Sequence, residues 1–351
     1  MKYIGIDIAK YKHAIAGIDG LGNRLFKPCF FNQNAEGFSW LLTYLGEQGD
    51  PEELTIGMEA TGHYWIVLHD FLTEKGWRVK VMNPLLSHAA AAGNIRGRKS
   101  DKDDAHAIAC VVRDGGFEPY QAGPVNRREL KQICRQRSYL ANNLADHKRR
   151  LGALIDQAFP EWRCLWTHGI NRSLLAVMAE WPSARELSKA HATRLQNIIK
   201  KASRKPASPQ YIKDLRQLAS VSVAQSACPG LRVCIRSMIQ LIELLESQIK
   251  LIEAQIESYH DGEIEQARSI PGIGKVNGSV IVSELGDLSR FMNKEKKAHK
   301  LVLAYAGLDA RIRESGMWRG KVKMSKRGSR ALRTAIFQSA DSARKFSPGL
   351  K

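Results

Sequence analysis

The chain has 351 residues, with 54 Lys plus Arg against 35 Asp plus Glu and a formal net charge of +19. That length sets an expectation of two or three domains with real hydrophobic cores. The charge favours a polyanionic partner, and nucleic acid over anionic lipid, because no amphipathic anchor or apolar run of membrane-spanning length is present. The six cysteines (Cys29, Cys110, Cys134, Cys164, Cys228, Cys234) show no CxxC pair and no zinc spacing. They are expected to be reduced, mostly buried thiols of a cytoplasmic protein, and the start of the chain reads as a strand rather than a signal peptide.

Tyr3-Ile4-Gly5-Ile6-Asp7-Ile8, a short run rich in β-branched residues, predicts the first strand. Strands follow over 13–19 and about 25–31, with turns at Lys10-Tyr11-Lys12 and Gly20-Leu21-Gly22-Asn23. Next come a helix near 35–47, a strand over 54–59, a helix near 63–75 and a strand over 78–82. A further helix opens at Ser100 and stops at Gly115-Gly116. The order β-β-β-α-β-α-β-α matches a ribonuclease H-like domain, in which the first and fourth strands are parallel neighbours.

Asp7 lies inside the first of these strands, and Glu59 ends the strand over 54–59. Carboxylates on buried strands cost free energy unless something pairs them. Asp101 and Asp104, three apart at the start of a helix, can project from one face. Four such groups in a strongly basic chain point to Mg²⁺ or Mn²⁺ and a phosphate substrate. Helix capping is the plainer account of the second pair, since Ser100 and Asp103 form a capping box. It accounts for those two residues and leaves Asp101 and Asp104 over. Gly-Ile-Asp after a first strand also opens actin-like ATPases, but the second phosphate loop that fold requires is not in the sequence.

The middle of the chain is helical. Ile235, Met238, Ile242, Leu245, Ile249, Ile252 and Ile256 alternate steps of three and four, an apolar heptad seam. A weaker seam runs from Ile133 through Arg137, Leu140, Leu144, His147, Leu151 and Leu154 to Ala158. The proline-punctuated stretch 159–230 between them predicts shorter helices and loops. Two long helices so separated either fold back on each other or join two chains, and the spacing is compatible with both.

In the last ninety residues, Ser269-Ile270-Pro271-Gly272-Ile273-Gly274-Lys275 has the form of a helix-hairpin-helix turn, whose backbone N–H groups meet phosphate. A basic, glycine-punctuated stretch follows over 311–330, and a helix is expected to resume at Ser329. Lys275, Arg313, Arg319, Lys321, Lys323, Lys326, Arg327 and Arg330 are the candidate nucleic-acid contacts. Ser315, Ser325 and Ser329 all lie there, and side-chain chemistry alone selects no nucleophile among them.

Gly5-Ile6-Asp7-Ile8-Ala9-Lys10, Met58-Glu59-Ala60-Thr61-Gly62 and Lys99-Ser100-Asp101-Lys102-Asp103-Asp104-Ala105 resemble the DEDD motif of the insertion sequence 110 transposases. That family also includes the pilin-gene invertase. Ile270-Pro271-Gly272-Ile273-Gly274, Ala306-Gly307-Leu308, Glu314-Ser315-Gly316 and Met324-Ser325-Lys326-Arg327-Gly328 resemble its second conserved domain. The resemblance implies an α/β plus all-α protein. Its parts would be a RuvC-like nuclease domain over 1–125, a coiled-coil dimerisation region over 126–262 and a mostly helical transposase domain over 263–351. It further implies catalysis by Asp7, Glu59, Asp101 and Asp104 with Mg²⁺ or Mn²⁺, and by Ser315 as nucleophile. The implied partners are double-stranded DNA and a structured bridge RNA, in a dimer that assembles to a tetramer near the bacterial nucleoid. Two rival readings are a Holliday-junction nuclease using metal-activated water and a non-enzymatic nucleic-acid scaffold.

Overall fold

The computed structural model describes residues 1–60, 62–82, 100–115, 125–224, 229–292, 297–311, 314–315, 318–319, 322–347 and 349. The chain divides into two compact units, Met1–Ala122 and Gly123–Lys351.

The first unit is built on a five-stranded sheet of β1 (Lys2–Asp7), β2 (Lys12–Ile18), β3 (Cys29–Asn32), β4 (Leu54–Glu59) and β5 (Arg78–Met82), in the order β3-β2-β1-β4-β5. β1 pairs antiparallel with β2 and parallel with β4, as the strand order in the sequence predicts. The third strand starts later than expected. Pro28 precedes it and cannot donate to a ladder, while Leu25 instead donates its N–H to the Gly17 carbonyl.

Period-two alternation then sorts the side chains between two faces. Ile4, Ile6, Ile56 and Met58 are fully buried with Phe38, Leu41, Trp65 and Leu68 of α1 (Ala35–Gln48) and α2 (Tyr64–Glu74). The other face carries α3 (Asp101–Asp114), whose Ala105, Ile108, Ala109 and Val112 are buried. Two strand glycines permit that contact. A Cβ on Gly5 would stand 2.0 Å from the Ala105 carbonyl oxygen, and one on Gly57 would stand 2.1 Å from Val112 Cγ2.

The second unit is helical apart from one small hairpin. Its spine is α4 (Val125–Ala158) laid antiparallel against α9 (Pro229–Ser258). The pairing resolves the choice that the heptads left open, because the two helices meet within one chain. Ion pairs Arg137–Glu253 at 2.6 Å and Lys148–Glu246 at 2.7 Å fix the register. Every residue of the Ile235–Ile256 seam is buried or half-buried. Between the spine helices, α5 (Arg172–Glu180), α6 (Ala184–Ser188), α7 (Ala192–Ser203) and α8 (Pro209–Ser220) form a core of their own with Trp162, Ile155 and Ile239. Ile242→Asp and Ile249→Asp should each lower the unfolding free energy by about 3 kcal/mol, since each buries an unpaired charge in an apolar seam. Denaturant unfolding followed by circular dichroism reads that loss.

Beyond the spine lie α10 (Gly262–Arg268), α11 (Lys275–Leu285), α12 (Ala298–Ala306) and α13 (Arg330–Phe346). The cysteine expectation is corrected in part. Of the five described, only Cys134 is buried, while Cys164 and Cys234 are exposed. Cys234 follows its helix's periodicity, one residue off the buried position of Ile235. Cys228 lies outside the described residues.

Candidate active site

Asp7 and Glu59 are the last residues of neighbouring parallel strands, one step beyond the Ile6–Met58 register pair. Alternation sets Asp7 on the side of Gly5, and Glu59 on the side of Gly57. Both carboxylates therefore leave the sheet on its α3 face, and both are half-buried.

The first turn of α3 lies over the same end of the sheet. Ala105 packs on Ala14, the residue paired with Asp7, and Lys102 Nζ stands 5.1 Å from the ring centre of Phe30, the partner of Ala14 in β3. Asp101 is exposed and Asp104 half-buried on that turn. The cap forms as the sequence predicts. Ser100 Oγ accepts from the Asp103 N–H at 3.3 Å and donates to Asp103 Oδ2 at 2.7 Å, so Asp101 and Asp104 take no part in the capping box.

Oxygen-only donors on two strand ends and a helix start suit a hard divalent cation. Among the described residues, no three His, Cys, Asp or Glu side chains stand close enough together to hold a metal ion. The backbone thus brings the four carboxylates to one end of one sheet face, but their side chains are not gathered at one point. Like charges resist gathering until a cation offsets them. Lys12 Nζ also lies over the Phe30 ring, 4.6 Å from its centre.

In the second unit, the basic stretch carries two short strand pairs, one inside the other. β6 (Ala310–Arg311) pairs with β9 (Lys323–Met324), and inside them β7 (Glu314–Ser315) pairs with β8 (Trp318–Arg319). Ser315 sits opposite Trp318. Arg313 and Lys321 lie outside the described residues. Lys323, Lys326, Arg327 and Arg330 are exposed, as phosphate contacts must be. Lys275 is already engaged, donating from Nζ to the Glu257 carbonyl at 2.7 Å.

The rival serines have structural employment. Ser325 donates from its hydroxyl to Asp309, and Ser329 caps α13 by accepting from the Leu332 N–H at 3.2 Å. Ser329 also donates to Glu284, which the sequence reading missed although a lone acid in the apolar helix 276–285 was a signal for it. Glu284 is 2% exposed. It accepts from Arg135 Nε at 2.6 Å and Nη2 at 3.0 Å and from Ser329 Oγ at 3.0 Å, with Lys131 Nζ at 3.4 Å. One carboxylate thereby ties α4, α11 and the start of α13.

Burial alone would raise the Glu284 pKa, but the hydrogen bond from Arg135 and the charges of Lys131 and Arg135 outweigh it and hold the group below its ordinary value. A carboxyl whose folded pKa is depressed stabilises the fold above the unfolded pKa, and that contribution is lost as pH falls through the folded value. Acid unfolding should therefore be shallower in Glu284→Gln than in the wild type. The variant should also be about 3 kcal/mol less stable at neutral pH, because it removes the charge that the Arg135 hydrogen bonds and the largely buried Lys131 rely on. Urea melts at several pH values measure both effects.

Comparison with known proteins agrees with this organisation. Residues 4–160 match the DEDD transposase domain model of the IS110 family, and residues 264–351 match the model described as "Transposase IS116/IS110/IS902 family". An insertion element IS116 protein of 44.8 kDa from Streptomyces clavuligerus is 25% identical over 97% of this chain and 84% of its own length. The pilin gene-inverting protein of Moraxella bovis is 29% identical over 43% of this chain and 47% of its own length. Among solved structures, T. thermophilus RuvC in complex with a Holliday junction substrate is 16% identical, covering 34% of this chain and 99% of that one at a TM-score of 0.27. With both conserved domains matched in order across more than half of its length, the chain belongs to the IS110 family of transposases.

Proposed function

We propose that this protein is a DNA recombinase of a mobile element, which cuts and rejoins strands through Ser315 with the help of a divalent cation at Asp7, Glu59, Asp101 and Asp104. The observation that most supports this is the placement of Asp7, Glu59 and the first turn of α3 at one end of one sheet face. The cation, Mg²⁺ or Mn²⁺, would polarise the scissile phosphate and offset charge on the leaving oxygen. Ser315 Oγ would lose its proton and attack phosphorus, forming a serine–phosphate bond as the bond to the 3′ oxygen breaks. The 3′ oxygen leaves and takes up a proton. The phosphoester stores the bond for strand exchange without ATP. Exposed Lys323, Lys326, Arg327 and Arg330 would hold the DNA backbone.

The partners in this reading are the two DNA ends and the target, a structured bridge RNA that pairs with them, and further copies of the chain. A second apolar stripe on α9 supports self-association: Leu241, Leu244 and Leu251 are 41%, 55% and 65% exposed, away from the seam that meets α4. One active site would draw its carboxylates and its serine from different protomers of a tetramer.

Trapping tests the mechanism. Wild-type protein stopped on a nicked substrate should carry a phosphodiester to Ser315 detectable by mass spectrometry, and Ser315→Ala should bind nucleic acid yet join no strands. Cleavage that persists in Ser315→Ala, or an adduct on Ser325 or Ser329, would replace this mechanism with metal-activated water or with another nucleophile.

A further inference from the structure

The second unit holds a groove of which the chemistry above uses only Arg330. It has a volume of about 420 Å³ and lies between α4, α11 and α13. Of the fourteen residues that line it, three are arginines and none is acidic. Tyr139 stands on the α4 wall with 59% of its surface exposed. Asn142, Asn277 and Gln338 bring one side-chain amide from each of the three helices. Arg135 and Arg137 are held in the wall by Glu284 and Glu253. Arg330 is exposed and forms no ion pair among the described residues, which leaves it for a ligand.

Each of these features selects against other occupants. An apolar ligand would leave the Asn142 and Gln338 amides and the Arg330 guanidinium unmet, while Asn277 already donates to Ser339 Oγ at 3.2 Å. An acidic peptide would find one uncommitted cation. A duplex is too wide for a space of this volume, whereas a single base with its sugar and phosphate fits. A base presents a flat face for a phenol ring and an edge of mixed donors and acceptors, which an amide can meet twice over.

We propose that the groove takes one unpaired nucleotide of a bound DNA or RNA strand, its base stacked on Tyr139, its edge read by Asn142, Asn277 or Gln338, and its phosphate held by Arg330. The inference rests on the reading that this protein acts on nucleic acid, and it assigns a site for a strand taken out of pairing.

Fluorescence anisotropy of the full-length protein with short single-stranded DNA and RNA, and with the matching duplexes, tests it. Tyr139→Ala should weaken single-strand binding about tenfold, the scale of one base–aromatic stack, and leave duplex binding unchanged. Thr334→Trp, which fills the groove, should do the same, and far-UV circular dichroism confirms that both variants fold. A 2-aminopurine base in the strand should be quenched by the wild type and stay bright with Tyr139→Ala. The strand type showing the larger loss identifies the source of the nucleotide. Equal losses on single strand and duplex, or no loss, would overturn the groove's role. Replacing Lys323, Lys326 and Arg327 together by Ala should weaken both forms. If that variant behaves so while Tyr139→Ala does not, the groove alone is excluded, and a wild type that binds neither form excludes the nucleic-acid reading with it.

Discussion

Asp7→Asn should reduce strand cleavage on the order of a thousandfold, the scale expected when a charge aimed at the transition state is removed. The fold should survive. Asp7 ends β1 half-buried, beside Glu59 on the neighbouring strand, so neutralising it relieves repulsion between like charges. Asn keeps the shape and hydrogen-bonding reach of the side chain, which separates charge from volume. Thermal melts should match the wild type within a few degrees, and DNA binding should persist because the exposed Lys and Arg lie elsewhere. Mg²⁺-dependent cleavage undiminished in Asp7→Asn would remove this carboxylate from the mechanism. Loss of folding in step with loss of cleavage would make Asp7 a structural residue.

Gly5→Ala should be the most damaging single methyl in the first unit, costing on the order of 3 kcal/mol. Its Cβ would lie 2.0 Å from the Ala105 carbonyl oxygen and 2.5 Å from the Ala109 N, both backbone atoms of α3. Backbone cannot rotate aside, so the helix itself must lift. Gly57→Ala should cost less, since its Cβ meets the tip of the Val112 side chain. Lifting α3 also carries Asp101 and Asp104 away from the strand ends, so cleavage should fall further than the lost stability explains. Chemical denaturation together with cleavage rates under conditions where the variant remains folded checks both effects. A Gly57→Ala more damaging than Gly5→Ala would show that α3 does not rest on the sheet as described.

The sheet was legible because its patterns are local. β-branched runs carrying Asp7 and Glu59 gave β1 and β4, and the capping box gave the start of α3. Glycines at 5 and 57 in otherwise apolar strands were a further signal of a helix in close approach. The fold-back of α4 on α9 was not legible, because the same heptad seam serves contacts within a chain and between chains. What decides it is the separate core formed by the described residues of the 159–230 stretch, which rests on both helices and returns the chain on itself. The strand at Ser315 was hidden for another reason. Two-residue strands carry too few residues to show alternation, and the surrounding Gly and Ser read equally well as loop. Glu284 shows a third kind of gap, since its partners come from stretches more than forty residues away.

The paired spine has a metric meaning. At 34 residues, α4 extends about 50 Å, with the insertion's core at one end and the cluster of Leu130, Ile256, Ile264 and Val280 at the other. It is a ruler whose graduations are heptads. Deleting seven residues from each of α4 and α9 would keep the seam in phase and bring the two ends closer by about 10 Å. Deleting three or four from one helix would instead turn one end against the other and break the ion pairs that set the register. Length and twist are thus coupled, and only whole heptads taken from both helices change the one while sparing the other.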